Sequence, residues 1–197
     1  KMKNSQRLMF HFLGICLFSS QWILTHQKVN LALDGIATQS SILTNYDPAK
    51  AIDGNKASSV SSGSCAHTTQ EYSPWWRVDL LAAYPIETVV ITNRGDCCST
   101  RINGAEIHIG NSLVNNGNNN PRCVVITTIP AGATASYTCN MFGRYVNIII
   151  PNLYQFLTLC EVQIYEGPAI KLAFLKLKIN STEDLSNPPM KNNILQM

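Results

Sequence analysis

Leu159-Cys160-Glu161-Val162-Gln163-Ile164-Tyr165 alternates with a period of two, the pattern of a β-strand that lays one face on a core and turns the other toward water. The stretch closes a segment at residues 157–165. Upstream, apolar and β-branched segments of similar length recur at 75–80, 86–92, 105–109, 123–126 and 145–150. Turn-forming sequence separates them: Asp53-Gly54-Asn55, Asn93-Arg94-Gly95-Asp96, Asn103-Gly104, the run 115–121 and Pro130-Ala131-Gly132. No helix-length periodic segment interrupts the series. Short strands at this spacing predict an all-β fold, a sandwich or jelly roll, with working residues on the loops at one end.

Trp75-Trp76-Arg77-Val78-Asp79-Leu80 refines that reading. In a strand, neighbouring tryptophans point to opposite faces, so one belongs to the core and the other lies near an end or edge. Core packing is the expected use of such large aromatics, ahead of stacking on a sugar. Arg77 and Asp79, two apart, share a face and are expected to pair.

The 197 residues accommodate one domain of about 150 residues with processing and tail segments. Charged residues make up only 14% and the net charge is +3, which gives no basis for nucleic-acid binding. Lys1, Lys3 and Arg7 precede a mostly apolar stretch at 8–24, the form of a secretory leader, here placed at 1–27. His11, Ser19, Ser20 and Gln21 break that stretch, which falls short of the roughly 20 clean apolar residues of a membrane span. An exported, extracellular protein with no membrane insertion is therefore expected. Residues 168–197 change character to a Lys/Leu-rich and then a polar, Asn- and Pro-containing tail. Its Lys171, Lys176 and Lys178 read as a solvated face, and Asn180-Ser181-Thr182 is a glycosylation sequon.

Cysteines stand at 16, 65, 97, 98, 123, 139 and 160, and leader removal would take Cys16. Six remain, which in an exported chain predicts three disulfides, although six cysteines allow 15 pairings and spacing does not choose among them. No paired C-x-x-C ligand pattern favours thiolate metal binding.

The most informative constellation is His67 followed by Arg94-Gly95-Asp96-Cys97-Cys98-Ser99-Thr100-Arg101. A histidine, about two dozen residues, Arg-x-Asp and, four residues on, another Arg or Lys: this resembles the signature of the fucolectins, or F-type lectins. The resemblance extends in order through Ala37-Thr38-Gln39-Ser40, Ala51-Ile52-Asp53-Gly54-Asn55, Gly63-Ser64-Cys65, 74–80, 92–98, Gly104-Ala105-Glu106-Ile107, Gly143-Arg144-Tyr145-Val146 and Leu159-Cys160-Glu161-Val162. It covers about residues 29–167, so the lectin domain is placed at 28–167 between leader and tail. The resemblance implies an eight-stranded antiparallel jelly-roll β-sandwich, similar to discoidin-type domains.

The chemistry agrees with that resemblance. Fucose presents an axial 4-hydroxyl, an equatorial 3-hydroxyl, a ring oxygen and an apolar methyl. Arg94 and Arg101 offer rigid forks of donors, and a neutral His67 donates or accepts according to tautomer. Asp96 is expected to orient and neutralise the arginines. The resemblance further implies a Cys97–Cys98 disulfide that stiffens the loop and offers an apolar surface to the sugar, together with Cys65–Cys160 and Cys123–Cys139. It also implies a structural Ca2+ held by Asp53, Asn55, Ser64 and Glu161 with the carbonyls of Lys50 and Cys160, an oxygen set of the kind calcium takes. The sequence departs from the family at 41–48, which is short, and at Val60 and Ser61, which stand where aromatics are usual. Leu43 or Tyr46 is expected to close the pocket instead.

Fucosylated glycans and glycoconjugates are thus the implied partners, and the sequence leaves assembly into a homo-oligomer open. An enzyme finds no support: His11, His26 and His108 build no triad or zinc motif. A discoidin-like module for protein or phospholipid is the alternative, against which the polar 94–101 loop argues.

Overall fold

The computed structural model describes residues 28–167; the expected leader, the tail and its sequon lie outside the described residues. The chain forms β1 (Ile36–Gln39), β2 (Ala66–His67), β3 (Glu71–Tyr72), β4 (Trp75–Thr92), β5 (Glu106–Gly110), β6 (Arg122–Val125), β7 (Thr134–Ile149), β8 (Tyr154–Gln155), β9 (Thr158–Leu159) and β10 (Glu161–Glu166), joined by loops and short 3-10 turns. The described residues contain no α-helix. All pairings are antiparallel.

The expected strands 75–80 and 86–92 join into the single 18-residue strand β4, which pairs along its length with the 16-residue β7. The register shifts between Asp79 and Tyr84, where the chain bends: Leu81 adopts a left-handed φ of 66° and its N–H donates to Asp79 Oδ1 at 2.8 Å. Before the bend β4 lies between β1 and β7; after it, between β10 and β7. Beyond, β7 pairs with β5 and β5 with β6. Taking the two halves of β4 and β7 separately, eight strand lengths make up this folded-over sheet, the jelly roll expected.

Side-chain parity follows the same geometry. Trp76, Val78, Leu80 and Ile86 are buried. After a second register shift between Ile86 and Thr88, burial passes to Val89 and Ile91, because one extra residue in a strand reverses which side chains face the core. Ile107, Ile109, Val146, Ile148, Val162 and Ile164 complete the interior. Each such isoleucine contributes about 1.5–3 kcal/mol relative to an exposed one. Trp76 is the core tryptophan, its indole N–H donating to the Pro48 carbonyl at 3.0 Å, whereas Trp75 looks outward.

The expected Arg77–Asp79 pair does not form. Asp79 takes Arg144 in a two-pronged ion pair at 2.7 and 2.8 Å, and Arg144 holds the Asp79 carboxyl below its usual range. Arg77 instead lies against Trp75 and Tyr145 and donates to the Asn116 carbonyl at 2.8 Å. A neighbouring strand offers Asp79 a better-directed fork than its own strand does.

Three disulfides are present: Cys65–Cys160, Cys97–Cys98 and Cys123–Cys139. By loop-closure entropy, the links spanning 95 and 16 residues contribute about 4.7 and about 3 kcal/mol.

At Gly143 a Cβ would stand 2.7 Å from Gly110 N and 2.9 Å from Gly110 Cα, where β7 meets β5 backbone to backbone. Gly143→Ala is expected to lower stability by about 1–3 kcal/mol, because the Gly110 backbone it meets cannot swing aside. Chemical denaturation of parent and variant checks this.

Candidate functional site

Two short ladders and one rigid loop build the site. His67 in β2 pairs with Thr158 in β9, and its carbonyl accepts N–H groups from Leu43 at 3.0 Å and the Gln39 side chain at 3.1 Å. The same Gln39 amide donates to Tyr46 O at 3.1 Å, so the 41–47 loop is stitched against His67. On the other side, buried Asn93 clamps the 94–101 loop. Its side-chain amide donates to Ser99 O at 2.9 Å and Ile129 O at 2.7 Å, while its Oδ1 accepts the Arg94 N–H at 2.8 Å. Gly95 packs where a Cβ would meet Ser58 Oγ at 2.7 Å and Gly132 Cα at 3.0 Å, so the middle residue of Arg-x-Asp has no room for a side chain.

These elements surround an open cleft of about 280 Å³ lined by Leu43, Tyr46, Val60, His67, Arg94, Cys97, Cys98, Arg101 and Phe156. Asp96 stands outside the lining and braces it: its carboxylate takes Arg94 Nε and Nη2 at 2.9 and 3.0 Å. That pair holds the Asp96 carboxyl down at about 2. Arg101 receives no such partner. Its guanidinium stacks on Phe156, 4.3 Å from the ring centre, and Nη1 reaches His67 Nε2 at 3.3 Å. Asp96 therefore orients Arg94 alone, where the sequence pointed to both arginines.

His67 is buried beneath the cleft, edge-on to Phe156 and tilted against Tyr46. Its Nδ1 lies 2.7 Å from the Thr68 carbonyl, an acceptor only, so Nδ1 carries the proton and Nε2 offers a lone pair toward Arg101 and the cleft. Burial lowers the His67 pKa most, and the charges of Arg101 and Arg94 lower it further against the Thr68 bond. The site thus joins two cations, one neutral acceptor, a pair of sulfurs and an apolar wall.

Residues 50–148 match the family described as NedA-like, galactose-binding domain. Fucolectin-5 of Anguilla japonica is 46% identical over 167 residues, covering 80% of this chain and 88% of the relative. The chain belongs to the fucolectin family. Among solved structures, an F-lectin from striped bass (Morone saxatilis) serum superposes with a TM-score of 0.69 at 54% identity; the match covers 71% of this chain and 48% of the bass lectin, about half its length. A Streptococcus pneumoniae fucose-binding module superposes at 0.61 with 27% identity, covering 71% of this chain and 96% of the module.

Beside the cleft, the fucolectin domain carries the six residues expected around Ca2+. Glu161 is fully buried and neither carboxylate oxygen has a hydrogen-bond partner. Burial, and secondarily the charge of Asp53, push its pKa up to about 7. The Gly54 N–H and Lys56 act against that rise, but a buried carboxylate with no well-formed hydrogen bond is costly unless a cation meets it, which fits the expected calcium. Asp53 and Asn55 accept N–H groups of Asn55 and Ala57 at 2.8 and 3.2 Å, yet keep oxygen lone pairs free. Ser64 Oγ donates to the carbonyls of Ala57 and Ser59. Lys50 closes the 3-10 turn Pro48–Ala51, and Cys160 is tied to Cys65 next to Ser64. The set offers carboxylate, amide, hydroxyl and carbonyl oxygens, donors that suit a hard cation better than one needing soft ligands.

Phe156 and the clamp Asn93 escaped the sequence reading. A lone aromatic just ahead of a strand reads as core, and an Asn before Arg-Gly reads as a turn; only the folded neighbourhood gives either its role.

His67 is expected to titrate below 6.5. Its contribution to stability is then fully present above 6.5 and lost as pH falls through the folded-state pKa. Imidazole proton NMR across pH 4–8 reads the midpoint, and Arg101→Ala should move it upward.

Proposed function

We propose that the chain is a secreted, non-catalytic lectin whose loop cleft binds the terminal L-fucose of fucosylated glycans and glycoconjugates. The convergence of the Arg94 and Arg101 guanidiniums and the His67 lone pair on one cleft carries this reading. The relatives' names, fucolectins and a fucose-binding module, support it. Two Arg94 N–H groups are spent on Asp96, which fixes the plane of the fork and aims the rest at ligand. Arg101, held flat on Phe156, keeps its donors in a second fixed plane. Together they suit the 4-hydroxyl, ring oxygen and 3-hydroxyl. A sugar hydroxyl that donates to His67 Nε2 shares or displaces the Arg101 Nη1 contact there, and the Cys97–Cys98 sulfurs with Leu43, Tyr46 and Val60 enclose the C5 methyl. A neutral polyol satisfies donors and acceptor without introducing a charge among the cations.

A Ca2+ ion held by Asp53, Asn55, Ser64 and Glu161 and the Lys50 and Cys160 carbonyls belongs to the same proposal. When bound it neutralises the buried Glu161 carboxylate. The chain's own residues then tie the 50–64 segment to the start of β10. Three disulfides suit an oxidising, extracellular compartment and agree with a cleaved leader.

Calorimetric titration with L-fucose tests the sugar site. Arg94→Ala and Arg101→Ala should each weaken binding about tenfold to a hundredfold, the worth of one lost charge-assisted hydrogen bond, with melting temperatures unchanged. Arg94→Lys should also weaken it, because an ammonium cannot hold the Asp96 fork. Full affinity in both alanine variants would place the sugar elsewhere.

Chelation should lower the melting temperature and added calcium restore it. Saturation at one hundred times the dissociation constant contributes about 2.7 kcal/mol. Thermal melts with chelator and with calcium measure this, and Glu161→Gln should abolish the response.

A further inference from the structure

Trp75 leaves the core to its neighbour and faces outward from the β4–β7–β5 layer. The register sets Trp75, Ile149 and Glu106 side by side across three strands, with Arg77, Asn147 and His108 in the next row. Over this face fold two walls. One is the Asn-rich loop after β5, where Asn147 donates to Asn116 O at 2.9 Å and Asn118 Oδ1 at 3.1 Å. The other is the β3 edge, where Tyr72 hydroxyl donates to Asn152 Oδ1 at 3.3 Å and Asn152 N donates to Ser73 Oγ at 2.9 Å. They enclose a cleft of about 470 Å³, within the roughly 300–1,000 Å³ usual for small-ligand sites.

Its rims hold non-glycine residues in left-handed backbone: Ser73 at φ 53°, Asn115 at 51°, Asn116 at 57° and Asn152 at 56°. Asparagine enters this region readily, so of the four Ser73 is the one whose surroundings enforce it, as happens at ligand sites. The loop is also pressed tightly down, since Gly117 at φ 88° leaves no room for a Cβ above Asn147. Arg77 braces the indole of Trp75, 5.5 Å from the ring centre. The floor is therefore a fixed aromatic plate beside an acid and an imidazole.

We propose that this cleft is a second carbohydrate site, for a neutral hexopyranose that lays its C–H face on Trp75. The lining selects the class, an indole and an isoleucine ringed by asparagine amides. Glu106 already bonds Arg122 at 2.7 Å and His108 at 2.9 Å, so its negative charge is compensated and a cationic ligand gains little. The carboxylate still has lone pairs for hydroxyl donors, and the rim amides both donate and accept, the complement of a polyol. Indole and Ile149 supply the apolar surface that such a ring's C–H face requires. The site is separate from the fucose cleft: Tyr72 pairs with Tyr154 in the β3–β8 ribbon, and Phe156, beyond the far end of that ribbon, lines the other cleft.

The test is NMR of the Trp75 indole N–H in the full chain, titrated to roughly 50 mM, far above a millimolar dissociation constant, with methyl β-D-galactopyranoside or methyl β-D-glucopyranoside, with and without excess L-fucose. A saturable shift with at least one glycoside is expected. Tyr72→Ala and Glu106→Gln, both folded by their melting curves, should weaken it about three- to tenfold while leaving fucose affinity unchanged. No saturable shift with either glycoside, a shift untouched by both substitutions, or a shift that free fucose displaces would each overturn the second site. Absence of fucose binding would instead strike the first proposal, and the Trp75 titration would still be readable.

Discussion

The antiparallel ladder between β4 and β7 is the constraint from which the rest of the domain follows. Residues 75–92 and 134–149 pair across a bend at Leu81, so one pair of strands serves both layers and commits the core side chains of each. Every other strand of the main sheet attaches to this ladder or to β5, which itself lies on β7. Its ends also set the positions of the clefts. Where β4 leaves the ladder at Thr92, Asn93 and Arg94 begin the motif loop; where it enters, Trp75 meets Ile149 beside Glu106.

The motif loop concentrates two cations in a small space, which the bulk of the structure has to compensate. It does so asymmetrically. Arg94 is neutralised by Asp96, whereas Arg101 is held by an aromatic ring and a neutral imidazole. Both devices fix a guanidinium plane without exhausting its donors, which an ordinary two-carboxylate arrangement would do. The neutral state of His67 belongs to the same balance: burial and the neighbouring arginines disfavour a third positive charge, and the Thr68 carbonyl fixes which nitrogen holds the proton.

Cys65–Cys160 links this cleft to the buried Glu161. Cys65 lies between Ser64 and the β2 strand of His67, and Cys160 between β9 and Glu161. A movement at either carboxylate or imidazole is therefore resisted by the same crosslink. That is a physical reason for oxygen-rich segments and cleft-lining residues to lie on adjoining turns of chain, with each set steadying the other.

Period-two alternation is a local property of the chain, and by itself it determined the all-β class and the inward positions of residues such as Val162 and Ile164. The motif residues were legible through their resemblance to the fucolectin signature, since an isolated Arg-x-Asp reads as a charged surface loop. Tertiary structure alone decided the rest. The alternation placed Trp75 and Trp76 on opposite faces but could not say which was core, since that depends on the layer packed against them. It put Arg77 beside Asp79, yet Arg144, 65 residues away, supplies the fork that Asp79 takes. Segments 75–80 and 86–92 read as two strands because Leu81-Ala82-Ala83-Tyr84-Pro85 between them breaks the alternation, and only the unbroken partner β7 joins them. Phe156 entered the cleft for the same reason, whereas the cysteine pairing that spacing left open among 15 is the one the family resemblance implied. Periodicity is fixed by neighbours in sequence, whereas partners are fixed by contacts between residues that the chain brings together only once it is folded.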